Sequence, residues 1–218
     1  MLWKLTLAVL VAAVLAGAAL AGDPRQQHNA ADMARAKAIG FVRSDFPAGW
    51  TGKPSTPSKN AGSTTCKSFN PDESDLVETG KIDSPAFTGP DGYSQVFSTV
   101  GIFQTVAQAG ASWSRVVQPA MLECFSQLIT KSSPPGSKIS ALAKGKLAFP
   151  KVSPRMAAYR LVIGVAPEGA AASVKLYLDL VLLGADRANV ATIMFSVGKP
   201  YPPAFEQRLA GAIGRRLG

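Results

Sequence analysis

The most recognisable catalytic spacing in the chain joins Ser196 to Lys199, which together match a Ser-x-x-Lys pattern. In enzymes that use this pattern the serine opens a helix, so that the lysine one turn later reaches the serine hydroxyl. Here Ser196 ends a predicted strand, and Pro200 directly follows the lysine. The companion Ser-Asp-Asn and Lys-Thr-Gly motifs are also missing from the sequence. We therefore expect no nucleophilic serine at this position.

Other catalytic and metal chemistries lack the residues that they require. His28 is the one histidine of the chain and lies in its N-terminal leader, and no Gly-x-Ser-x-Gly motif is present. No Gly-Lys pair is followed by the Ser or Thr of a Walker motif. Two cysteines and one histidine cannot complete a structural zinc site. The sequence predicts no catalytic residue, no metal site and no cofactor.

Carboxylates are concentrated between Asp72 and Asp91, where six acidic residues face Lys81 alone. Paired carboxylates could act in glycoside hydrolysis, and clustered carboxylates could ligate calcium. The stretch lacks the Asp-x-Asp-x-Asp-Gly order of a calcium loop and any phrase typical of a hydrolase. A solvated loop face is the simpler interpretation of these residues.

Basic residues dominate the segment that follows, because no acidic residue occurs between Glu123 and Glu168. The seven lysines and arginines of this segment give it a local charge of +7, within a chain of net charge +9. We expect a patch that contacts an anionic partner, formed by Lys138, Lys144, Lys146, Lys151 and Arg155. The alternative is a scattered, solvated basic surface.

The first 21 residues have the composition of a signal peptide. Lys4 is followed by an uncharged, alanine-rich run from Leu5 to Ala21, and Ala19 and Ala21 form a small-x-small cleavage site. The alternative is an uncleaved anchor, since 17 apolar residues approach the length of a membrane span. Both interpretations predict an extracytoplasmic protein, secreted or anchored, and argue against a nucleic-acid partner.

Cysteine usage fits the same compartment. Cys66 and Cys124 are the two cysteines of the chain, and an even count in an exported protein favours a disulfide. Two separately buried thiols are the alternative.

Hydrophobic periodicity predicts an α+β domain over residues 31–218, preceded by a flexible leader over residues 22–30. A helix is predicted from Ala31 to Phe46, two helical pieces lie between Val106 and Ile129, and a last helix begins at Pro202-Pro203. Alternating residues predict strands at 94–103, 139–149, 156–165, 174–184 and 188–198. Short turns between the later strands imply an antiparallel sheet of about five or six strands with helices packed against it.

The phrase Ser44-Asp45-Phe46-Pro47-Ala48-Gly49-Trp50-Thr51, followed by a Thr/Pro/Ser loop and Cys66, resembles a family of secreted actinobacterial proteins. The serial order of elements resembles the PsbP-like fold of LpqN-type envelope lipoproteins and the extracellular sensor domains of mycobacterial kinases. The resemblance implies a binding or accessory role outside the cytoplasm and provides no catalytic motif. The chain lacks the lipidation cysteine of the LpqN type.

These observations favour a non-enzymatic, extracytoplasmic binding or accessory domain of the cell envelope. Its expected partner is an anionic lipid or polymer, or another envelope protein. A protein-docking or sensor module without a small ligand is one alternative, and an unrecognised envelope hydrolase is another. The apolar face of the 174–182 strand also predicts a cavity between sheet and helices, an expectation that a solid interior would contradict.

Overall fold

The computed structural model describes residues 22–54, 66, 68–131, 135–167, 169–170 and 173–218. The predicted signal peptide, with Ala19 and Ala21, lies outside this range. Four α-helices are present in the described chain: α1 (Ala30–Ile39), α2 (Val106–Val116), α3 (Pro119–Lys131) and α4 (Pro203–Leu217). The strands are β1 (Arg25–Gln26), β2 (Thr51–Lys53), β3 (Val77–Asp83), β4 (Ala86–Thr88), β5 (Gln95–Phe103), β6 (Ser137–Lys146), β7 (Arg155–Pro167), β8 (Val174–Ala185) and β9 (Ala188–Val197).

The nine described strands form one sheet, in the order β1-β3-β5-β9-β8-β7-β6, with β4 also paired to β5 and β2 paired to β4. All pairs are antiparallel except β1 with β3. The predicted α+β class, with helices on an antiparallel sheet, is confirmed. The sheet has more strands than the five or six expected, because short segments without clear alternation pair along β3 and β5.

Helices cover both faces of the sheet. The back face packs against α1 and α4, with Val100, Val181 and Met194 among its fully buried residues. The front face packs against α2 and α3, with Leu161, Leu176 and their neighbours in its core. Because successive strand residues point to opposite faces, the long apolar runs of β8 and β9 serve both layers.

A disulfide joins Cys66 to Cys124 with a Cα–Cα distance of 5.6 Å, so the predicted pairing is present in the structure. Cys124 lies on α3, and Cys66 belongs to the segment that leads into β3. The bridge spans 58 residues of sequence and therefore restricts the unfolded chain strongly.

The Ser44–Thr51 phrase has a structural role in the described chain. Phe46 stacks on Phe87, and Trp50 stacks on Phe205 at the start of α4. Asp45 pairs with Arg216 near the end of the same helix. Gly49 has φ +84°, a conformation that L side chains rarely adopt, so a glycine suits this turn. The phrase thus docks α4 onto the back face.

Two segments differ from the sequence predictions. Residues 22–30 are not a loose leader, because the backbone N–H groups of Gln27 and Asn29 donate to carbonyls of β3 and Asn29 caps α1. The first helix ends at Ile39 rather than Phe46, since Gly40 leaves helical geometry and the Phe41 N–H donates to Ser98.

Buried charges on the back face are paired. Arg160 donates to Asp179 at 2.6 Å and to Glu206 at 2.8 Å, and both carboxylates are almost fully buried. Burial, followed by the hydrogen bond with Asp179, raises the pKa of Glu206 to about 8. Arg187 similarly binds Asp32, and this hydrogen bond holds the pKa of the Asp32 carboxyl far below its usual range.

No helix in the described residues is both long enough and apolar enough to cross a membrane.

Candidate functional site

The five basic residues predicted to contact an anion do not form one patch. Lys138 pairs with Ala166 at one end of β6, whereas Lys146 pairs with Tyr159 at the other end. At a rise of about 3.3 Å per residue the two lysines lie roughly 25 Å apart along the strand. Strand alternation and an irregularity between Ala141 and Ala143 also place them on opposite faces of the sheet. The prediction of a single patch that includes Lys138 is therefore wrong.

Arg155 has a structural role that sequence analysis did not anticipate. Its Nη2 atom donates to the carbonyl oxygen of Asp186 at 3.0 Å, to that of Ala188 at 3.2 Å, and to Asn189 Oδ1. The guanidinium therefore holds the β8–β9 turn. Burial lowers the pKa of Arg155, and the Nη2 atom is engaged within the protein.

Lys144 is paired as well. It forms an ion pair with Glu123 of α3, which lies across the front face. Sequence analysis missed this partner because Glu123 lies just before the segment that lacks acidic residues. Lys144 was therefore counted as an unpaired charge.

Lys146 and Lys151 remain exposed and form no ion pair with any residue that the structure describes. They line a cleft of about 450 Å³ between the end of β6 and the start of β7. The cleft is also lined by apolar and aromatic residues, namely Leu147, Phe149, Pro154, Met156, Ala157, Ala158 and Tyr159. We call these nine residues the basic cleft. It combines two ammonium groups with an apolar wall.

A second cavity, of about 210 Å³, lies between the C-terminal half of α2 and the front face of the sheet. It contains Glu73 and Glu78, which are 4% and 5% exposed. Its walls include Trp113, Val116 and Leu182. We call this cavity the acidic pocket.

The carboxylates of the acidic pocket were interpreted from sequence as part of a solvated loop face, and for Glu73 and Glu78 this interpretation is wrong. Residues 77–83 form β3, and Glu78 lies on the face that α2 covers. The available signal was the position of Glu78 immediately after Leu76 and Val77, in a short apolar run within the acidic stretch.

Both buried carboxyls are harder to ionise than an exposed glutamate. Burial raises the pKa of Glu73, and the nearby Ser112 hydroxyl and Arg115 charge offset this only in part. Burial also raises the pKa of Glu78, although the positive charge of Lys81 opposes the shift.

Among the described residues, no group of three or more His, Cys, Asp or Glu side chains could hold a metal ion. Three carboxylates line the acidic pocket, those of Asp23, Glu73 and Glu78.

No family model and no curated protein matches this chain. Among solved structures, it is similar to the extracellular domain of PknH from Mycobacterium tuberculosis, at 10% sequence identity and a TM-score of 0.41. The match covers 84% of this chain and 95% of that chain. A likeness of this size assigns no ligand or activity, and the PsbP-like resemblance stays a prediction.

Proposed function

We propose that this chain is a non-enzymatic binding module that acts outside the cytoplasm and holds an anionic amphiphile in the basic cleft. The observation that carries the proposal is the position of Lys146 and Lys151 on a cleft of about 450 Å³. Two ammonium groups suit a phosphate or carboxylate group, and the Phe149 and Met156 side chains suit an attached apolar part. The Cys66–Cys124 disulfide supports the extracytoplasmic location.

The cleft lies at the edge of the sheet, and this position supports the proposal that it binds an external ligand. β6 is the last strand of the sheet path, and β7 is its one strand partner in the described chain. Lysines on an edge strand also prevent pairing with other chains, which is the ordinary reason for their presence. That explanation does not account for Lys151, which lines the cleft but lies beyond the end of β6.

Vesicle co-sedimentation of the full chain tests the proposal. We expect binding to vesicles that contain 30% phosphatidylglycerol and none to pure phosphatidylcholine vesicles. The K146Q/K151Q variant should bind roughly 30-fold more weakly, because each basic residue near an anionic surface contributes on the order of 1 kcal/mol. The control variant K37Q/K138Q removes the same charge from exposed sites elsewhere.

An equal loss in the two variants would assign binding to the overall charge of +9 and would contradict a cleft. Binding to soluble polyphosphate, without binding to vesicles, would reassign the ligand from a lipid to an anionic polymer. Failure to bind either probe would favour the alternative of a protein-docking module.

A further inference from the structure

The acidic pocket contains buried acceptor atoms that the described chain does not satisfy. Glu73 Oε1 and Glu78 Oε2 have no hydrogen-bond partner in this part of the protein. Lys81 Nζ and His28 Nε2 lie 3.7 Å and 4.0 Å from Glu78 Oε2, within ion-pair distance but too far for a hydrogen bond. Buried carboxylate oxygens without donors are rare in folded proteins, because the lost hydration is not replaced.

The backbone makes space for one of these carboxylates. A Cβ atom built on Gly101 of β5 would lie 2.8 Å from Glu78 Oε1, closer than real side-chain contacts allow. A glycine at this position lets the carboxylate lie directly over the strand. The Glu78 side chain is thus accommodated next to the cavity, and the two unsatisfied oxygens belong to residues that line the same space.

The chemistry of the lining indicates the kind of ligand. An ionised carboxylate only accepts hydrogen bonds, so its missing partners must be donors, and a positively charged donor also offsets the buried charge. Since the described residues offer no set of metal ligands, an organic cation fits better than a metal ion. The Trp113 ring and the aliphatic walls suit an apolar body and a cation–π contact.

We infer that the acidic pocket binds a small organic cation, a primary ammonium or guanidinium group carried on a short apolar body. The volume of about 210 Å³ corresponds to roughly seven water molecules at about 30 Å³ each, which sets the size of the ligand. This site is separate from the basic cleft and takes a ligand of the opposite charge.

The charges around the pocket favour the same ligand. Asp23, Glu73 and Glu78 line it together with Lys81, while His28 faces Glu78 from the segment before α1. Arg115 is engaged by Asp75 outside the pocket. Because burial raises the pKa of both glutamates, a bound cation should lower these pKa values, and binding should release protons and strengthen with rising pH.

Calorimetric titration of the full chain with n-butylammonium chloride at pH 8 tests the inference. We expect saturable binding at one site, with sodium chloride and n-butanol giving no saturable signal. The variants E73Q and E78Q should each bind at least tenfold more weakly, because each removes a carboxylate from the site. The matched control E123Q, which removes an exposed glutamate of α3, should bind like the original chain.

If E73Q or E78Q fails to fold, a second measurement tests the inference without substitutions. In the unsubstituted chain, ¹⁵N-resolved NMR should show butylammonium-dependent shifts at Gly101, Ser112 and the Trp113 indole. The inference is overturned if butylammonium does not saturate, if n-butanol binds equally well, or if E78Q folds and binds unchanged. Displacement of butylammonium by millimolar calcium would also overturn it and would indicate a metal site.

Discussion

The basic cleft lies at the edge of the sheet, where Lys146 and Lys151 are exposed, whereas the acidic pocket lies beneath α2, where Glu73 and Glu78 are buried. An exposed ammonium group keeps its hydration, so surface lysines lose little hydration free energy on folding. Their presence therefore has several possible explanations besides ligand binding. A buried carboxylate loses hydration, and a protein retains it at the expense of stability. Burial, more than the number of charges, therefore distinguishes a candidate site from an ordinary surface.

The Arg160–Asp179–Glu206 cluster provides a reference for the acidic pocket. Its carboxylates are as buried as Glu73 and Glu78, but Arg160 donates to both of them. Arg160 therefore satisfies the carboxylates of its cluster with short hydrogen bonds. In the acidic pocket, Glu73 Oε1 and Glu78 Oε2 accept no hydrogen bond from the described chain, and Glu78 has only the longer ion pairs with Lys81 and His28.

The largest expected effect concerns the Cys66–Cys124 disulfide, which joins α3 to the segment before β3. The double variant C66S/C124S should lower the free energy of unfolding by about 4 kcal/mol, since the unfolded chain gains the freedom that the bridge removes. Urea unfolding measures this loss. Hydrogen exchange should accelerate more in α3 and β6 than in β3, because Cys124 belongs to α3, which packs on β6. A uniform acceleration would contradict a regional role for the bridge.

The second prediction uses pH to measure the contribution of Glu206 beside those of Glu73 and Glu78. The pKa of Glu206 is raised to about 8, so its protonated form stabilises the fold below its unfolded value of 4.5. That stability is lost as the pH rises through about 8. Urea unfolding between pH 5 and pH 8.5 should show stability falling with pH. E206Q should flatten only part of the slope, since Glu73 and Glu78 contribute in the same direction. An unchanged slope in E206Q would contradict the assignment.

The third prediction compares the two sites directly. At pH 8 and without added ligand, E78Q should raise the free energy of unfolding by about 1–3 kcal/mol, because a neutral amide is less costly to bury than a carboxylate whose Oε2 atom accepts no hydrogen bond. K146Q in the basic cleft should change the stability by no more than about 0.5 kcal/mol. Thermal and urea unfolding provide the measurement. A destabilised E78Q that still folds would show that Glu78 is satisfied within the protein.

The smallest expected effect tests whether the binding surface of the basic cleft extends to Lys144. E123Q removes the partner of Lys144 and should strengthen binding to phosphatidylglycerol vesicles by about fivefold, since it frees one more ammonium group on the same face. Vesicle co-sedimentation measures the change. If E123Q binds no more tightly while K146Q/K151Q loses binding, the ligand does not extend along the front face to Lys144.

Much of the secondary structure followed from the sequence because its patterns are local. The β8 and β9 strands were predicted to within about one residue at each end, since their alternation is uninterrupted. β3 was missed, because Glu78, Gly80 and Lys81 break its apolar pattern and an irregularity lies between Glu78 and Gly80. The candidate sites were only partly predictable: two of the five basic residues line the cleft, and the acidic pocket was not anticipated.

The sequence alone was enough to predict the α+β class and the order of most elements and to favour a disulfide over two free thiols, because periodicity, turn residues and cysteine count are properties of neighbouring residues or of composition. Only the tertiary structure decided which charges are available. Arg155 meets Asn189, Lys144 meets Glu123, and Glu78 lies over Gly101 through contacts between residues distant along the chain. The type of a charged residue does not reveal whether its side chain is solvated, paired or buried. Its partners are fixed only when the sheet brings distant strands together.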